Sequence, residues 1–457
     1  MSRTVLFVGA HNRREIEFYI HIAEHLSKKG IRTIFTSQYN RHAVELQRDK
    51  GIDILAIPHW IETHWHEIPD PIAAARMAEK KYNLLSFKQV YNGDRELFDC
   101  SENECIDRAL HYFEAWETIF DANLVDAVVS AIGGELIRTT SYFAARRRGI
   151  KTLYLNFFPL PHRFVIVRTL DGNFLNLDLA SLPELSPSQE MEVQRLIDRL
   201  ISEAPRFFSW QPPTIKAEYL SKFFSRWYFA LFTDKYAYPP RWVFRKTIYI
   251  LRRIFNYILS QDLYEQPQLG ERFLFFPLHD AEDFQLRVRA PHCQNQEFIV
   301  QLIAESLPIG FKLYTKEHPN FLGGINISAL RRIKRIPNVR LLPPSVSALD
   351  MISAAEAVIT VNSTVGFEAL VRGKPVITLG PSFYRGKGIT FDVDNFYDLT
   401  RVIKQAIGNR PDERLVRKFI HYAVQRTYLG EYTLRDFSEG NISQVAQAIL
   451  EELDRVQ

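Results

Sequence analysis

Residues 357–370 read AVITVNSTVGFEAL, and this stretch decides the fold class of the chain. An apolar, β-branched run ends at Asn362, and two hydroxyl side chains, Ser363 and Thr364, precede a second apolar run. The first run predicts a buried strand, and the hydroxyls followed by apolar residues predict the start of a helix. A strand joined to a helix by a short polar turn is the repeating unit of a parallel α/β sheet.

A second motif of the same kind lies upstream, where the strand-like run 311–315 is followed by Lys316, Glu317, His318 and Pro319. Ligands of parallel α/β sheets bind beyond the carboxyl ends of the strands. A helix start also offers free N–H groups and a partial positive charge, which suit an anion. The imidazole of His318 and the two hydroxyls at the predicted helix start therefore indicate a phosphate-bearing ligand.

The strand and helix rhythm occurs in two regions of the chain. Residues 1–165 and 271–410 each alternate strands and helices, whereas 166–270 reads as a helical, basic and aromatic connecting segment. The last residues, 411–457, read as helices that would pack back across a cleft. The pattern predicts an α/β protein with two Rossmann-like domains facing across that cleft.

The composition is that of a globular protein. The 457 residues are 46% hydrophobic and 24% charged, and the net charge of +4 does not call for a nucleic-acid partner. The three cysteines, Cys100, Cys105 and Cys293, form no disulfide or metal framework and fit a reducing compartment. The first apolar run, 4–9, is too short for a signal peptide, and no apolar run reaches the roughly 18 residues of a membrane span.

Further motifs connect the chain to a known family. Residues 276–279 read FPLH, with Asp283 and Gln285 downstream, and Gly133-Gly134-Glu135 precedes a helix in the first region. Together with the two motifs above, these residues resemble the capsule polysaccharide biosynthesis family, whose best understood members are β-Kdo glycosyltransferases using CMP-Kdo. In that family glutamine usually stands in place of His279, and an acidic, glycine-rich segment stands in place of residues 156–159.

The resemblance implies an inverting glycosyltransferase of the GT-B architecture. It would transfer Kdo or a related acidic sugar from a CMP donor to a saccharide or glycolipid acceptor, without cofactor or metal. Similar histidine and hydroxyl motifs of bacterial sialyltransferases hold the nucleotide's phosphate. The expected donor-binding residues are His318, Ser363, Thr364, Lys316, Glu368, Asn362, Asp283 and His279.

For two of these residues, Lys316 and Glu368, the sequence spacing also supports a place at the ligand. Lys316 and Glu317 alternate across a strand, so one of them should face the ligand, and we favour Lys316. Glu368 lies one turn beyond Thr364 on the same helix face, where it could accept hydrogen bonds from a ribose or serve only the helix dipole.

An inverting transferase needs a general base for the acceptor hydroxyl. Glu135 is the candidate, because Gly133 and Gly134 let the backbone and substrate approach it closely. His11, after the first strand, and Asp283 are the rival bases.

Two other clusters invite a metal interpretation. His59, His64 and His66 lack supporting cysteines or aspartates, so an acceptor-binding loop or plain surface is the expectation. Asp392 and Asp394 form a short acidic motif, but Asp394 reads as the cap of the following helix.

Residues 206–258 carry ten lysines and arginines against Glu218 and Asp234, interleaved with Trp, Tyr and Phe. Such a segment suits an anionic membrane surface. The expected location is therefore cytoplasmic and peripheral, on the inner face of the cell membrane. A packed linker is the alternative, and nucleic acid is not expected because no recognition module surrounds the segment.

Two other functions remain open. A polyol-phosphate transferase of the teichoic-acid type also uses a cytidine nucleotide, although residues 360–364 lack the Asp-Tyr-Ser-Ser pattern expected there. A non-catalytic capsule-machinery or lipid-binding protein on a transferase fold is the second, and the unusual segment 156–161 favours it.

Overall fold

A computed structural model describes residues 3–171, 175, 178–202, 217–237 and 239–455, without the side chains of 217–222. The chain forms two compact units. The first comprises Met1–Phe174, Lys216–Thr247 and Thr427–Gln457, and the second Leu175–Ile215 and Ile248–Arg426.

The sheet of the first unit has the strand order β13-β6-β5-β4-β1-β2-β3. Its strands from β1 to β5 pair in parallel, and β6 and β13 extend it antiparallel. The strands are β1 (Thr4–Gly9), β2 (Arg32–Ser37), β3 (Ile54–Ala56), β4 (Ala127–Ala131), β5 (Lys151–Phe157), β6 (Arg163–Val167) and β13 (Tyr428–Leu429).

The sheet of the second unit is parallel throughout and has the order β12-β11-β10-β7-β8-β9. Both sheets thus contain the reversal of strand order that marks a Rossmann-like sheet. The strands are β7 (Arg272–Pro277), β8 (Phe311–Lys316), β9 (Val339–Leu341), β10 (Ala357–Thr360), β11 (Val376–Thr378) and β12 (Phe391–Asp392).

Helices cover both sheets, and α10 (Pro240–Ser260) contributes residues to both units. The first unit also contains α1 (Arg13–Ser27), α2 (Asn40–Lys50), α3 (Ile57–His64), α4 (Pro71–Tyr82), α5 (Lys88–Tyr91), α6 (Glu102–Ala122), α7 (Leu136–Arg147), α9 (Ala217–Phe232) and α17 (Glu439–Asp454). The second also contains α8 (Pro187–Ser202), α11 (Gln296–Ser306), α12 (Ile327–Lys334), α13 (Ala348–Ala354), α14 (Thr364–Val371), α15 (Leu399–Ala406) and α16 (Glu413–Val424).

The first sheet is buried on both faces. Side chains of α1 and α17 pack against one face, and those of α6 and α7 pack against the other. Parallel strands covered on both faces are apolar along their whole length, as in β1, where all six residues are buried.

The predicted α/β class with two Rossmann-like sheets is confirmed. Three local predictions were wrong. His59 and His64, for which an acceptor-binding loop or plain surface was expected, lie in α3, where Pro58 suits the first turn. Residues 163–167 add the antiparallel β6, and Asp394 is not a helix cap, because its carboxylate pairs with Arg385.

The units divide the chain differently from the domain limits expected from the sequence. The connecting segment 166–270 is shared between both units, and of the C-terminal helices α16 belongs to the second unit and α17 to the first. Part of the basic, aromatic segment, residues 206–216, lies outside the described residues. Among the described helices, none has the length and apolarity needed to cross a bilayer.

Candidate functional site

The second sheet brings three predicted site segments to one edge. β7, β8 and β10 are neighbours in the order β10-β7-β8 and run parallel. Their carboxyl ends lead directly to His279, His318 and Ser363. The polar residues after these strands therefore lie at the edge where α/β sheets bind ligands.

The imidazole of His318 is half-buried, and its burial disfavours the charged form. Burial lowers the pKa of His318, although the carboxylates of Asp280 and Asp283 act in the opposite direction. Its Nδ1 accepts a hydrogen bond from the backbone N–H of Asn320 at 3.3 Å, which starts a short helical turn at Pro319. This bond makes Nδ1 the acceptor and Nε2 the N–H donor, as a phosphate ligand requires.

His279 is more deeply buried. The side-chain amide of Gln296 bonds to both backbone groups of His279. Its Nε2 donates to the carbonyl of His279 at 2.9 Å, and its Oε1 accepts the N–H of His279. Burial lowers the pKa of His279 to about 3, and the nearby His318 adds to this. Within the described residues, neither ring nitrogen has a hydrogen-bond partner. Buried polar atoms are rarely left unpaired, so a polar ligand would satisfy this ring.

Asn362 links the loop after β10 to the loop after β7. Its side-chain amide donates to the carbonyl of Gln285 at 2.9 Å, and its buried Oδ1 has no partner among the described residues. Asp283 begins the turn that contains Gln285, because its carboxylate accepts the N–H of that residue at 2.9 Å. Asn362 and Asp283 therefore both bond to the backbone of Gln285 and fix the loop after β7 at the edge of the second sheet.

Ser363 caps α14, as its position predicted. Its hydroxyl accepts the N–H of Val365 at 3.3 Å, and its carbonyl accepts the hydroxyl of Tyr384 at 2.6 Å. Gly366 leaves room for that tyrosine, since a Cβ there would lie 2.3 Å from the phenol oxygen. Thr364 is the first residue of the helix and is half-buried. Capping a helix and binding an anion are compatible roles for these hydroxyls.

Glu368 lies one turn along α14. Burial raises the pKa of Glu368 to about 7, and Arg372 opposes this shift. The side chain can therefore donate as well as accept a hydrogen bond near neutral pH.

Lys316 and Glu317 are both buried, so the alternation expected at this strand end does not leave one of them in solvent. The Lys316 ammonium donates to the carbonyl of Pro344 at 3.1 Å and also to that of Val346, and burial lowers its pKa to about 8. Glu317 accepts the hydroxyl of Tyr264. Lys316 thus fixes the loop after β9 and brings a positive charge to the sheet edge.

The first unit contains a second polar cluster, around Arg138. This arginine is fully buried, and its guanidinium pairs with Glu15 and, at 2.7 Å, with Glu135. The hydroxyl of Tyr19 donates to Glu15 at 3.0 Å, so the cluster continues inward. These residues come from α1 and α7, which follow the neighbouring strands β1 and β4.

Glu135 lies at the start of α7, with its side chain 21% exposed. Burial opposes ionisation, but Arg138 and His11 outweigh it and hold the pKa of Glu135 below its usual value. Its Oε1 is 3.1 Å from Nε2 of His11, whose side chain is 55% exposed, and the same nitrogen is 3.1 Å from Nη1 of Arg138. The two candidate bases of the first unit therefore form one histidine–carboxylate pair.

The glycines before Glu135 allow close packing within the protein. A Cβ on Gly133 would lie 2.1 Å from the Glu135 carboxylate, and one on Gly134 would lie 2.8 Å from the backbone of Gly93. That close approach places Asp94 at the start of α7, where its carboxylate accepts the N–H of Leu136 at 2.8 Å.

Sequence reasoning missed Arg138, Glu15 and Asp94. A signal for Glu15 was present, because this acidic residue lies on the same buried face of α1 as the apolar Ile16 and Tyr19. Arg138 similarly stands among the buried residues of α7.

Asp392 is engaged within the protein. Its carboxylate accepts the hydroxyls of Thr378 at 2.6 Å and Thr390 at 2.7 Å, and the N–H of Gly386 at 2.8 Å. Three donors on one carboxylate favour a structural role for this motif.

Comparison with known proteins agrees with the motifs. Residues 218–432 match the family described as capsule polysaccharide biosynthesis protein. This part of the chain is similar to that family. The motif resemblance is thereby confirmed for just under half of the chain, including His279, His318 and Ser363 but not Glu135.

Curated relatives match over short parts. Protein FixF of Sinorhizobium fredii is 30% identical over 157 residues, which are 34% of this chain and 37% of FixF. The capsule polysaccharide export protein KpsS of Escherichia coli is 25% identical over 173 residues, covering 35% of this chain and 41% of KpsS. The chain thus matches less than half the length of each relative.

Among solved structures, the chain is similar to KpsC of Thermosulfurimonas dismutans, a β-Kdo 2,4 transferase. The identity is 16%, with a TM-score of 0.42, covering 71% of this chain and 87% of that one.

Proposed function

We propose that this chain is a glycosyltransferase of surface polysaccharide synthesis that uses a CMP-linked donor of Kdo or a related acidic sugar. The acceptor is a saccharide or glycolipid. The observation that carries the proposal is the edge of the second sheet. There, buried atoms of His279 and Asn362 that have no partner among the described residues lie at neighbouring strand ends, together with His318 and Ser363.

The proposal gives these residues complementary roles. His318 and the Ser363 and Thr364 hydroxyls, with the N–H groups at the start of α14, bind the phosphate. Fixed donors of this kind stabilise the charge that develops on the leaving phosphate. Lys316 adds positive potential, and its place among backbone carbonyls makes it a positioning residue.

The remaining second-unit residues bind the nucleoside. His279 and Asn362 offer unpaired polar atoms, and Glu368 can bond to ribose hydroxyls. Asp283 holds the turn that Asn362 contacts.

The first unit supplies the acceptor side. A general base works best when its pKa lies near the working pH, and the ion pair with Arg138 moves Glu135 away from that range. We therefore propose that the His11–Glu135 pair acts together, with His11 receiving the proton and Glu135 orienting the ring. A single displacement of this kind inverts the anomeric configuration. Retention, observed by NMR of the product, would contradict it and would indicate attack on the sugar by a carboxylate.

A thermal-shift panel tests the donor class. CMP at about 100 times its dissociation constant should stabilise the protein by about 2.7 kcal/mol, whereas UMP, GDP and AMP should have little effect at that concentration. A response to UMP or GDP in place of CMP would contradict the cytidine assignment. Because no metal is assigned to the donor site, transfer should persist in EDTA, and a loss reversed by added Mg²⁺ would contradict that.

The proposed membrane partner is supported by exposed apolar residues on α10. These residues recur every three or four positions, which places them on one face over about 21 Å. They are Phe244, Ile248, Leu251, Phe255 and Ile258, here called the α10 stripe. Phe224, Tyr228 and Phe232 of α9 are exposed in the same way.

The charges around the stripe favour anionic lipid. Between residues 223 and 260 the chain has seven arginines and lysines and one acid, the buried Asp234. Some arginines that were expected to contact lipid bond to backbone carbonyls of the protein instead. Arg245 donates to the carbonyl of Asp99 at 2.6 Å, and Arg253 donates to that of Leu322 at 3.1 Å. We therefore assign the main membrane contact to the α10 stripe rather than to these arginines.

Vesicle flotation tests this contact. Leu251→Ser with Phe255→Ser should release the protein from anionic vesicles, whereas Ile309→Ser, at a still more exposed apolar residue in a loop outside α10, should not. Binding should also weaken as salt rises. Equal binding of the stripe variant and wild type would remove the stripe from the contact.

A further inference from the structure

The loop after α3 and the middle of α6 bring three metal-binding side chains together in the first unit. His66 lies in the loop, and His111 and Glu114 lie three residues apart on α6. One ligand atom of each side chain lies within 4.8 Å of the other two. The sequence did not suggest this group, because His111 and Glu114 are far from His66 along the chain.

The surroundings of His111 point to a cation. The ring is buried, with Nδ1 2.9 Å from the carbonyl oxygen of Asp107 and Nε2 3.0 Å from that of His66. A neutral imidazole has only one N–H, so one of these contacts would oppose two lone pairs. Either a second proton on the ring or a metal ion at one nitrogen removes that repulsion.

The neighbouring groups favour the metal ion. A metal-binding histidine commonly donates its other N–H to a backbone carbonyl, as Nδ1 can do here towards Asp107. This leaves Nε2 for the ion, on the side of His66. Nε2 of His66 is 3.5 Å from Oε1 of Glu114.

We propose that His66, His111 and Glu114 bind a Zn²⁺ ion. Two imidazoles and one carboxylate form a donor set that zinc accepts, with water in the fourth position. Zinc requires ligand distances of about 2.0–2.2 Å, so the three side chains must draw closer. His66 and Glu114 can rotate to do so, because their side chains are 56% and 43% exposed.

The ion would tie the loop that begins at Trp65 to α6. The neighbouring histidine, His64, is not part of the site, since its Nδ1 lies 2.9 Å from the carbonyl of Trp60 and its ring stacks on that indole. The proposed ligands belong to the first unit, whereas the donor-binding residues belong to the second. The zinc proposal is thus independent of the transferase proposal, and it revises the expectation that the histidine-rich loop binds no metal.

Equilibrium dialysis tests the site in the full chain, without an affinity tag. After treatment with EDTA, the protein should bind one Zn²⁺ per chain, and its melting temperature should rise with added Zn²⁺. His66→Ala and Glu114→Gln should each weaken zinc binding by at least tenfold. These exposed ligands are chosen because replacement of the buried His111 could prevent folding.

The control variants are His64→Ala and His59→Ala, which should bind zinc as tightly as the wild type. Failure of the wild type to retain zinc would overturn the proposal, and so would unchanged zinc affinity in the His66→Ala, Glu114→Gln double variant. Both readouts, metal content and melting temperature, are independent of sugar transfer.

Discussion

At the scale of single residues, burial decides which polar side chains the sequence reveals. His318 and Ser363 could be predicted because each follows a strand-like run directly, and the chain order alone places them at the sheet edge. Arg138 could not, because its partners Glu15 and Glu135 come from two helices that only the folded sheet makes adjacent. A local sequence pattern therefore reveals His318 and Ser363, whereas Arg138 is defined by contacts between distant parts of the chain.

Loss of Arg138 should destabilise the first unit strongly. Arg138→Met leaves two carboxylates without their buried partner, and breaking such a pair costs about 3–5 kcal/mol. Urea unfolding measures the change. Arg147→Met, on the same helix and 41% exposed, is the control and should cost less than about 1 kcal/mol. Equal effects of the two substitutions would contradict the buried network.

His318→Ala should weaken CMP binding by about 1.5–3 kcal/mol, the range for a hydrogen bond to a charged group. Calorimetry measures the affinity, with His21→Ala, at a half-buried histidine of the first unit, as the control. Unchanged affinity in His318→Ala would remove this residue from the donor site.

At the scale of elements, alternating strands and helices could be predicted because each has its own periodicity. α10 was harder, since its aromatic and basic residues resemble a linker in composition. Its period was nevertheless present: Trp242, Asn256 and Ser260 are buried, whereas Phe244 and Ile248 are exposed. Composition alone hides such a helix, and the spacing of its apolar residues reveals it.

Asp94 should make the start of α7 sensitive to pH. Burial raises the pKa of Asp94 to about 7, above its unfolded value, so its stabilising effect is complete below the unfolded pKa and is lost as pH rises towards about 7. Asp94→Asn removes the titration and should make the unfolding free energy less dependent on pH between about 4 and 7. Urea unfolding across this range measures the slope. An unchanged slope would contradict the raised pKa.

At the scale of the whole molecule, the sequence predicted two α/β sheets but not how the chain is shared between the units. α17 has a buried face of Ile442, Val445 and Ile449, which requires a partner but does not name it. That partner is α1, more than 400 residues away along the chain. Amphipathicity predicts that a helix packs, whereas the choice of partner depends on the assembled sheet.

In the proposed reaction the first unit supplies the base and the second unit binds the donor, so substitutions at the base test one role without the other. His11→Asn should lower kcat by about 100-fold or more while CMP binding is unchanged, because the base is lost and the donor site is in the other unit. Glu135→Gln should also lower kcat, since the ring loses the carboxylate 3.1 Å away. Near-normal turnover in His11→Asn would return the role of base to Glu135.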